Sequence, residues 1–187
     1  MNELVLPPSD ISREITDYGR LVAGYVYHQN FPEVLLSDPD HVMIKSSDPA
    51  DFDTKFKQLK PWTAEDRYFA EIDGRFLVAA RFLVPLALIE RRPVEWIQIM
   101  EPKSLDGTFD YFGVEYAEFF YQDFDKARLM LDKNKIEYSK KADEDHSWLN
   151  IRINNQGQEI RITDKLLAET IDSEVESGRA RPLPSQY

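Results

Sequence analysis

A repeat within the chain constrains its fold more than any other feature of the sequence. The tripeptide Asp51-Phe52-Asp53 opens one amphipathic segment of helical period, and Asp123-Phe124-Asp125 opens a second. Farther along, Ile97-Gln98-Ile99 follows the first segment and Ile160-Arg161-Ile162 follows the second. Because the two stretches agree at the start, along the helix and at the end, in one order, we interpret them as a duplicated unit.

Each copy contains the same order of predicted elements, namely a strand, a helix and three further strands. In the first copy, hydrophobic periodicity predicts strands at residues 41–45, 67–72, 75–82 and 94–100 and a helix at residues 51–59. In the second copy, it predicts strands at residues 114–121, 136–140, 148–153 and 159–162 and a helix at residues 123–133. The pair Asp73-Gly74 predicts a tight hairpin in the first copy.

Two further helices flank the repeat. Apolar residues recur every three or four positions from Ile11 to Tyr25, which predicts an N-terminal helix of about five turns. A second helical pattern, at residues 165–176, predicts a closing helix. We therefore expect an N-terminal helix and connecting loop (1–39), a single domain (40–176) and a flexible tail (177–187). The domain would contain two modules (40–103 and 112–165) and the closing helix.

Composition restricts the classes of function. The chain of 187 residues carries a formal net charge of −11, which repels phosphate backbones and argues against nucleic acid as a partner. It contains no cysteine, so disulfides, thiolate catalysis and cysteine-based zinc sites are excluded. No apolar run approaches the ~20 residues that a membrane-spanning helix needs, and the first residues do not read as a signal peptide. We therefore expect a cytoplasmic protein without a membrane partner.

A strand, a helix and three strands, repeated once, resemble the vicinal oxygen chelate superfamily, which includes glyoxalases and epimerases. Within that superfamily the chain is similar to the YecM-like branch, on the stretches 40–44, 72–75, 113–118 and 160–162. The resemblance implies an α+β fold in which two βαβββ modules form a curved mixed sheet around a shared concavity.

The resemblance also implies a divalent metal in the concavity, held by His, Glu or Gln side chains from the first and last strands of each module. Side chains alternate across a strand, so the four ligand-equivalent positions are His41, Gln98, Tyr116 and Arg161. His41 and Gln98 are suitable metal ligands. Glu101, at the end of its predicted strand, is a third candidate.

The sequence departs from the superfamily pattern at two of these positions. Tyr116 stands where the pattern has His, and a neutral phenol is a poor ligand. Arg161 stands where a carboxylate is usual, and a guanidinium has no lone pair to donate. Glu118 faces the same side by strand parity, so it could act as a ligand, act as a catalytic base or form an ion pair with Arg161.

Two functions remain open on these grounds. One is a metal-dependent isomerase, lyase or dioxygenase that acts on a small oxygen-rich metabolite, with Mn, Zn, Ni or Fe held by His41, Gln98 and Glu101 and with Glu118 as the base. The other is a metal-free module whose pocket residues bind a small anionic ligand. The expected pocket residues are Lys45, Tyr116, Arg161 and Arg81. Both functions are compatible with a monomer or a homodimer, and neither assigns a role to His28 or His146.

Overall fold

The computed structural model describes residues 9–72, 74–89, 92–102, 112–142 and 146–183. Within these residues the chain forms one open mixed sheet of nine strands and four α-helices. The helices are α1 (Ser9–Gln29), α2 (Pro49–Leu59), α3 (Phe124–Lys133) and α4 (Leu167–Glu176). The strands are β1 (Asp38–Lys45), β2 (Thr63–Ile72), β3 (Arg75–Ile89), β4 (Arg92–Met100), β5 (Gly113–Phe120), β6 (Ser139–Ala142), β7 (Ser147–Arg152), β8 (Glu159–Thr163) and β9 (Ala180–Pro182).

The order of the strands confirms the duplication. The sheet runs β6-β7-β8-β5-β1-β4-β3-β2-β9. In the first module β1 pairs in parallel with β4, and in the second module β5 pairs in parallel with β8. The two modules meet where β1 and β5 pair antiparallel. This arrangement relates the modules by a pseudo-twofold axis and confirms the predicted α+β fold of two βαβββ units.

The two module helices begin in the same way. Asp48 accepts a hydrogen bond from the backbone N–H of Asp51 at 2.8 Å, and Pro49 occupies the first turn of α2. Asp123 accepts one from the backbone N–H of Lys126 at 3.0 Å. Each carboxylate thereby satisfies a backbone donor that the first helical turn leaves unpaired.

The sheet carries a different layer on each face. On one face α1, α2 and α3 pack on a large apolar core that includes Val42, Ile97 and Ile160. On the other face, which we call the site face, α4 packs on a smaller cluster. That cluster contains Met43, Leu77, Ala79, Met100, Tyr116, Leu167 and Ile171. The closing helix therefore covers the face on which the sequence predicts the functional residues.

Three local predictions differ from the structure. Strand β3 continues through Pro85 to Ile89, because the ladder with β4 shifts register between Arg81 and Leu86 and a shifted ladder tolerates a residue without an N–H. Strand β6 lies at Ser139–Ala142 rather than at residues 136–140. The predicted flexible tail is wrong at Ala180–Pro182, which form β9 by pairing with β2.

The hairpin prediction at Gly74 is confirmed. Ile72 pairs with Arg75 across the turn, and Gly74 has φ of 71°, a conformation that side chains with a Cβ rarely adopt. Among the described residues, no helix is long and apolar enough to cross a membrane.

Candidate functional site

One cross-strand row organises the site. The register places one residue from each of six neighbouring strands in line, namely Arg81, Trp96, His41, Glu118, Arg161 and Asn150. The next row contains Gln98, Met43, Tyr116 and Glu159. Directly opposite residues in a sheet project to the same face. Because Met43 and Tyr116 lie on the site face, the sheet presents both rows beneath α4.

The four predicted ligand-equivalent residues are brought together. The Tyr116 hydroxyl donates to Gln98 Oε1 at 3.2 Å. The Arg161 guanidinium carbon lies 3.4 Å from the centre of the Tyr116 ring, and the His41 ring meets that ring edge-on with 5.7 Å between centres. Strand parity therefore predicts the shared face correctly, although a shared face is not yet a metal site.

His41 is the group best prepared to donate a lone pair. Its side chain is buried, with 2% of the residue exposed, and its Nδ1 lies 2.9 Å from Asp40 Oδ2. A carboxylate has no proton to donate, so the hydrogen of this bond resides on Nδ1, and Nε2 carries the lone pair when the ring is neutral. In the described part of the chain, this buried Nε2 has no hydrogen-bond partner.

Asp40, which the sequence analysis missed, fixes that geometry. The register runs from Pro39–Phe119 to His41–Glu118, so β1 uses two residues where β5 uses one, and Asp40 is the extra residue of a β-bulge. Its Oδ2 also accepts a hydrogen bond from the backbone N–H of Leu167, the first residue of α4, at 2.9 Å. Simple alternation places Asp40 and His41 on opposite faces, whereas the bulge turns the Asp40 carboxylate toward His41.

Glu118 supplies a buried carboxylate beside His41. Burial alone raises the pKa of Glu118, but the positive charge of a protonated His41 and the nearby His146 ring outweigh it, so the net pKa is lowered and the side chain stays ionised. For His41 burial lowers the pKa, and the charge of Glu118 and the bond to Asp40 raise it overall. Donor atoms of Asp40, His41 and Glu118 all lie within 4.8 Å of one another.

His146 is a second residue that the sequence analysis missed. Its Nε2 lies 2.7 Å from the Thr163 hydroxyl oxygen and 3.7 Å from Glu118 Oε1. The single hydroxyl hydrogen of Thr163 goes to the backbone oxygen of Lys165 at 3.1 Å, so His146 Nε2 is the donor. The ring also stacks on Trp148, with 4.8 Å between centres. His146 thus presents an N–H to the side of the site that carries Glu118.

Glu118 and Arg161, which were expected to form an ion pair, lie closer to other partners. Arg161 Nε lies 3.6 Å from Glu159 Oε2, while Glu118 makes its closest pairing with His146. Arg161 Nε is nevertheless buried and lacks a hydrogen-bond partner among the described residues. Burial strongly raises the pKa of Tyr116, so the phenol stays protonated and cannot serve as an anionic ligand.

The remaining predicted residues lie at the edges of the site. Lys45 Nζ is 3.0 Å from Glu115 Oε1. Arg81, with 48% of its side chain exposed, pairs with Glu95 at 2.9 Å at one end of the row. Glu101 does not join the cluster, because its carboxylate accepts from the backbone N–H of Phe76 at 3.0 Å. Glu101 also lies five residues beyond Trp96, the partner of His41, or about 17 Å along the strand.

The charges of the site are unbalanced. The buried carboxylates of Asp40 and Glu118 and the partly buried ones of Glu115 and Glu159 face the cations of Lys45 and Arg161, which leaves a net charge of −2 with both histidines neutral and −1 with His41 protonated. Buried charge of one sign is costly unless a counterion compensates it. The donor set of imidazole nitrogen and carboxylate oxygen suits a first-row divalent ion. The residues present therefore fit a divalent cation between His41 and Glu118.

Comparison with known proteins finds similarity in structure but not in sequence. No protein-family model matches the sequence, and no curated protein matches it. A structural-genomics protein designated EC4020 superposes with a TM-score of 0.70 at 13% identity, over 88% of this chain and 91% of that one. What the two chains share is the fold.

Two enzymes superpose more loosely. Methylmalonyl-CoA epimerase from Mycobacterium tuberculosis gives a TM-score of 0.45 at 15% identity, over 71% of this chain and 91% of that one. A mutant of 4-hydroxymandelate synthase from Streptomyces coelicolor gives 0.42 at 12% identity, over 67% of this chain and 47% of that one.

Proposed function

We propose that this protein is a divalent-metal-dependent enzyme that acts on a small oxygen-rich molecule. One observation carries the proposal. His41 Nε2 is buried without a hydrogen-bond partner among the described residues, while Asp40 holds the opposite ring nitrogen. Carboxylate, imidazole and metal form a recurring triad in which the carboxylate sets the tautomer and the orientation of the ring. His41 and Glu118 would hold the ion, and Gln98, in the neighbouring cross-strand row, would be a further oxygen donor.

When bound, the ion would act as a Lewis acid that polarises oxygen atoms of the substrate. The protein's own residues would act around it. Asp40 keeps the His41 ring in the orientation that exposes Nε2, and His146 orients the Glu118 carboxylate. The Arg161 Nε–H is buried without an acceptor within hydrogen-bond distance, so it is the donor best placed for an anionic substrate oxygen. We therefore propose Glu118 as a metal ligand rather than as the catalytic base that the sequence analysis predicted.

The competing function is a metal-free module for an anionic ligand. Its expected cations are already neutralised, since Lys45 pairs with Glu115 and Arg161 lies beside Glu159. A lone anion would enter a cluster that already carries excess negative charge, and that would be unfavourable. The arrangement therefore favours binding of a cation, and an anionic oxygen of the substrate would bind only after the cation is in place. On the sequence resemblance we also propose that the chain belongs to the YecM-like branch, and on its composition we propose a cytoplasmic location.

Metal titration tests the proposal. Purified protein stripped with a chelator would be titrated in a calorimeter with Mn²⁺, Zn²⁺, Ni²⁺ and Fe²⁺ in turn. We expect one site on the unmodified protein and an affinity at least about 100-fold lower for His41→Ala and for Glu118→Gln, because each removes a ligand.

The matched control is His28→Ala, which removes an exposed imidazole at the end of α1 and should leave the affinity unchanged. Circular dichroism would confirm that each variant folds. If the unmodified protein binds none of the four ions, or if both site variants bind as tightly as the control, the proposed function is wrong.

A further inference from the structure

An open cleft lies at the end of the row occupied by Arg81 and Trp96. Its volume is about 460 Å³, and its wall includes Asp38, Asp40, Glu95, Trp96 and, from α4, Ala168. Pockets that hold small organic molecules in proteins have volumes of roughly 300–1,000 Å³. The cleft is therefore large enough for a metabolite of ordinary size.

The cleft adjoins the candidate metal ligands directly. Trp96 is the register partner of His41, and both belong to the same cross-strand row. Asp40 lines the cleft and also lies 2.9 Å from the His41 ring. A molecule in the cleft would thus contact Asp40 and Trp96, the two direct neighbours of His41. The cleft and the candidate metal site could therefore bind opposite ends of one ligand.

The wall of the cleft is acidic. Asp38, Asp40 and Glu95 contribute three carboxylates against the one cation of Arg81. Glu95 is engaged by Arg81 at 2.9 Å, and Asp40 is engaged by His41 and by the first N–H of α4. Asp38 is exposed, and its recorded contact is a marginal one of 3.5 Å with the Ser37 hydroxyl. Asp38 is thus the carboxylate that remains available to a ligand.

The N-terminus of α4 does not reverse this charge preference. A helix start favours anions through its unpaired N–H groups. Here the N–H of Leu167 already donates to Asp40 at 2.9 Å, and the N–H of Leu166 donates to Glu169 at 3.2 Å. Two carboxylates therefore occupy the position that an anionic ligand would take.

Trp96 adds an aromatic surface to the acidic wall. The indole is half-buried and inclined against Tyr68, with 6.3 Å between ring centres. The face of an indole attracts a cation, and a carboxylate nearby can accept a charge-assisted hydrogen bond from the same cation. Trp96 with Asp38 is a pairing of this kind.

We propose that the cleft binds the positively charged end of the substrate, an ammonium or guanidinium group on a flat or aliphatic body. The role as a substrate pocket rests on the proposed function, whereas cation binding by the cleft can be measured without a metal. The cleft would then select for charge at one end of the molecule, and the metal would bind oxygen atoms at the other.

A matched set of probes tests the charge preference. Benzylamine, benzyl alcohol and benzoate share one ring and differ in charge, and each would be titrated into metal-free protein while the indole N–H signals are followed by NMR. We expect benzylamine to shift the Trp96 signal and to bind at least about 10-fold more tightly than benzoate. Benzoate binding as tightly as benzylamine, or no shift of the Trp96 signal with benzylamine, would overturn the proposal.

Three variants locate the site. In calorimetric titrations, which do not depend on the Trp96 signal, Asp38→Asn and Trp96→Leu should each weaken benzylamine binding about 3- to 10-fold, because they remove the carboxylate or the aromatic face. The control Asp53→Asn removes an exposed carboxylate on α2 and should change nothing. Asp38 is exposed, so its variant folds even if Trp96→Leu does not. Unchanged affinity in Asp38→Asn would place the probe elsewhere and refute the assignment.

The failure of this inference is distinguishable from failure of the proposed function. His41→Ala and Glu118→Gln should lose metal and still bind benzylamine. If metal binds as expected and benzylamine does not, only the cleft assignment is wrong. If benzylamine binds as expected and no metal does, the cleft is a cation site and its role as the substrate pocket is wrong.

Discussion

Replacement of Asp40 tests how strongly one carboxylate couples the closing helix to the site. Oδ2 of this residue accepts hydrogen bonds from the Leu167 N–H and from His41 Nδ1, each at 2.9 Å, and the residue is 9% exposed. Asp40→Ala would leave two buried donors without an acceptor. A hydrogen bond to a charged group contributes roughly 1.5–3 kcal/mol.

We therefore expect Asp40→Ala to lower the free energy of unfolding by about 3–5 kcal/mol, after allowing for water that enters the space. Asp40→Asn retains one oxygen acceptor and should lose only about 1–2 kcal/mol. The same variants should weaken metal binding about 10- to 100-fold, because the His41 ring loses the group that orients it.

Urea unfolding followed by far-ultraviolet circular dichroism measures the stability, and the calorimetric titration measures the metal. Asp53→Ala, on the exposed side of α2, is the control and should change the free energy of unfolding by less than about 0.5 kcal/mol. A loss below about 1 kcal/mol for Asp40→Ala would refute the reasoning, since it would mean that neither donor depends on this carboxylate.

Two further predictions concern α2. Phe52 is 6% exposed, whereas Phe56 is only partly buried. Phe52→Ala should therefore lower the free energy of unfolding by about 3–5 kcal/mol, and Phe56→Ala should lower it clearly less. Equal losses in urea unfolding would contradict this packing. Burial raises the pKa of Asp51, but hydrogen bonds from Lys55 and Ser47 outweigh it and lower the pKa overall. A carboxyl group whose pKa is lower in the folded than in the unfolded protein stabilises the fold at pH values above the unfolded pKa. That stabilisation is lost as the pH falls through the folded pKa. Asp51→Asn should therefore be less stable than the unmodified protein at pH 7, and the difference in free energy of unfolding should narrow below about pH 4. A difference that stays constant from pH 7 to pH 3 in urea unfolding would show that the charge of Asp51 contributes nothing.

Periodicity and repetition predict the fold well because both modules use the same simple rules. The alternation of Val42 with Met43 and of Ile97 with Gln98 assigns the two faces of the sheet correctly. The duplicated Asp-Phe-Asp sequence locates the start of both module helices, although Asp51 lies within the first turn of α2 and Asp123 is the N-cap of α3.

The site is less predictable because it departs from those rules. Asp40 is the extra residue of a bulge, and no local pattern in the sequence indicates one extra residue in a strand. His146 approaches Glu118 through contacts with Thr163, which lies 17 positions away in the sequence. The prediction for Glu101 failed for the opposite reason, since a correct strand end does not reveal that a neighbouring strand binds the carboxylate.

The junction between the two modules determines when the site can exist. His41 belongs to the first module and Glu118 and Arg161 belong to the second, and they meet only across the β1–β5 pairing. Neither half, expressed separately, would carry both His41 and Glu118. The two modules therefore share one fold but contribute different functional groups. The first module contributes the imidazole of His41, and the second contributes the carboxylate of Glu118 and the guanidinium of Arg161. Assembly of the two halves is itself the step that creates the binding site.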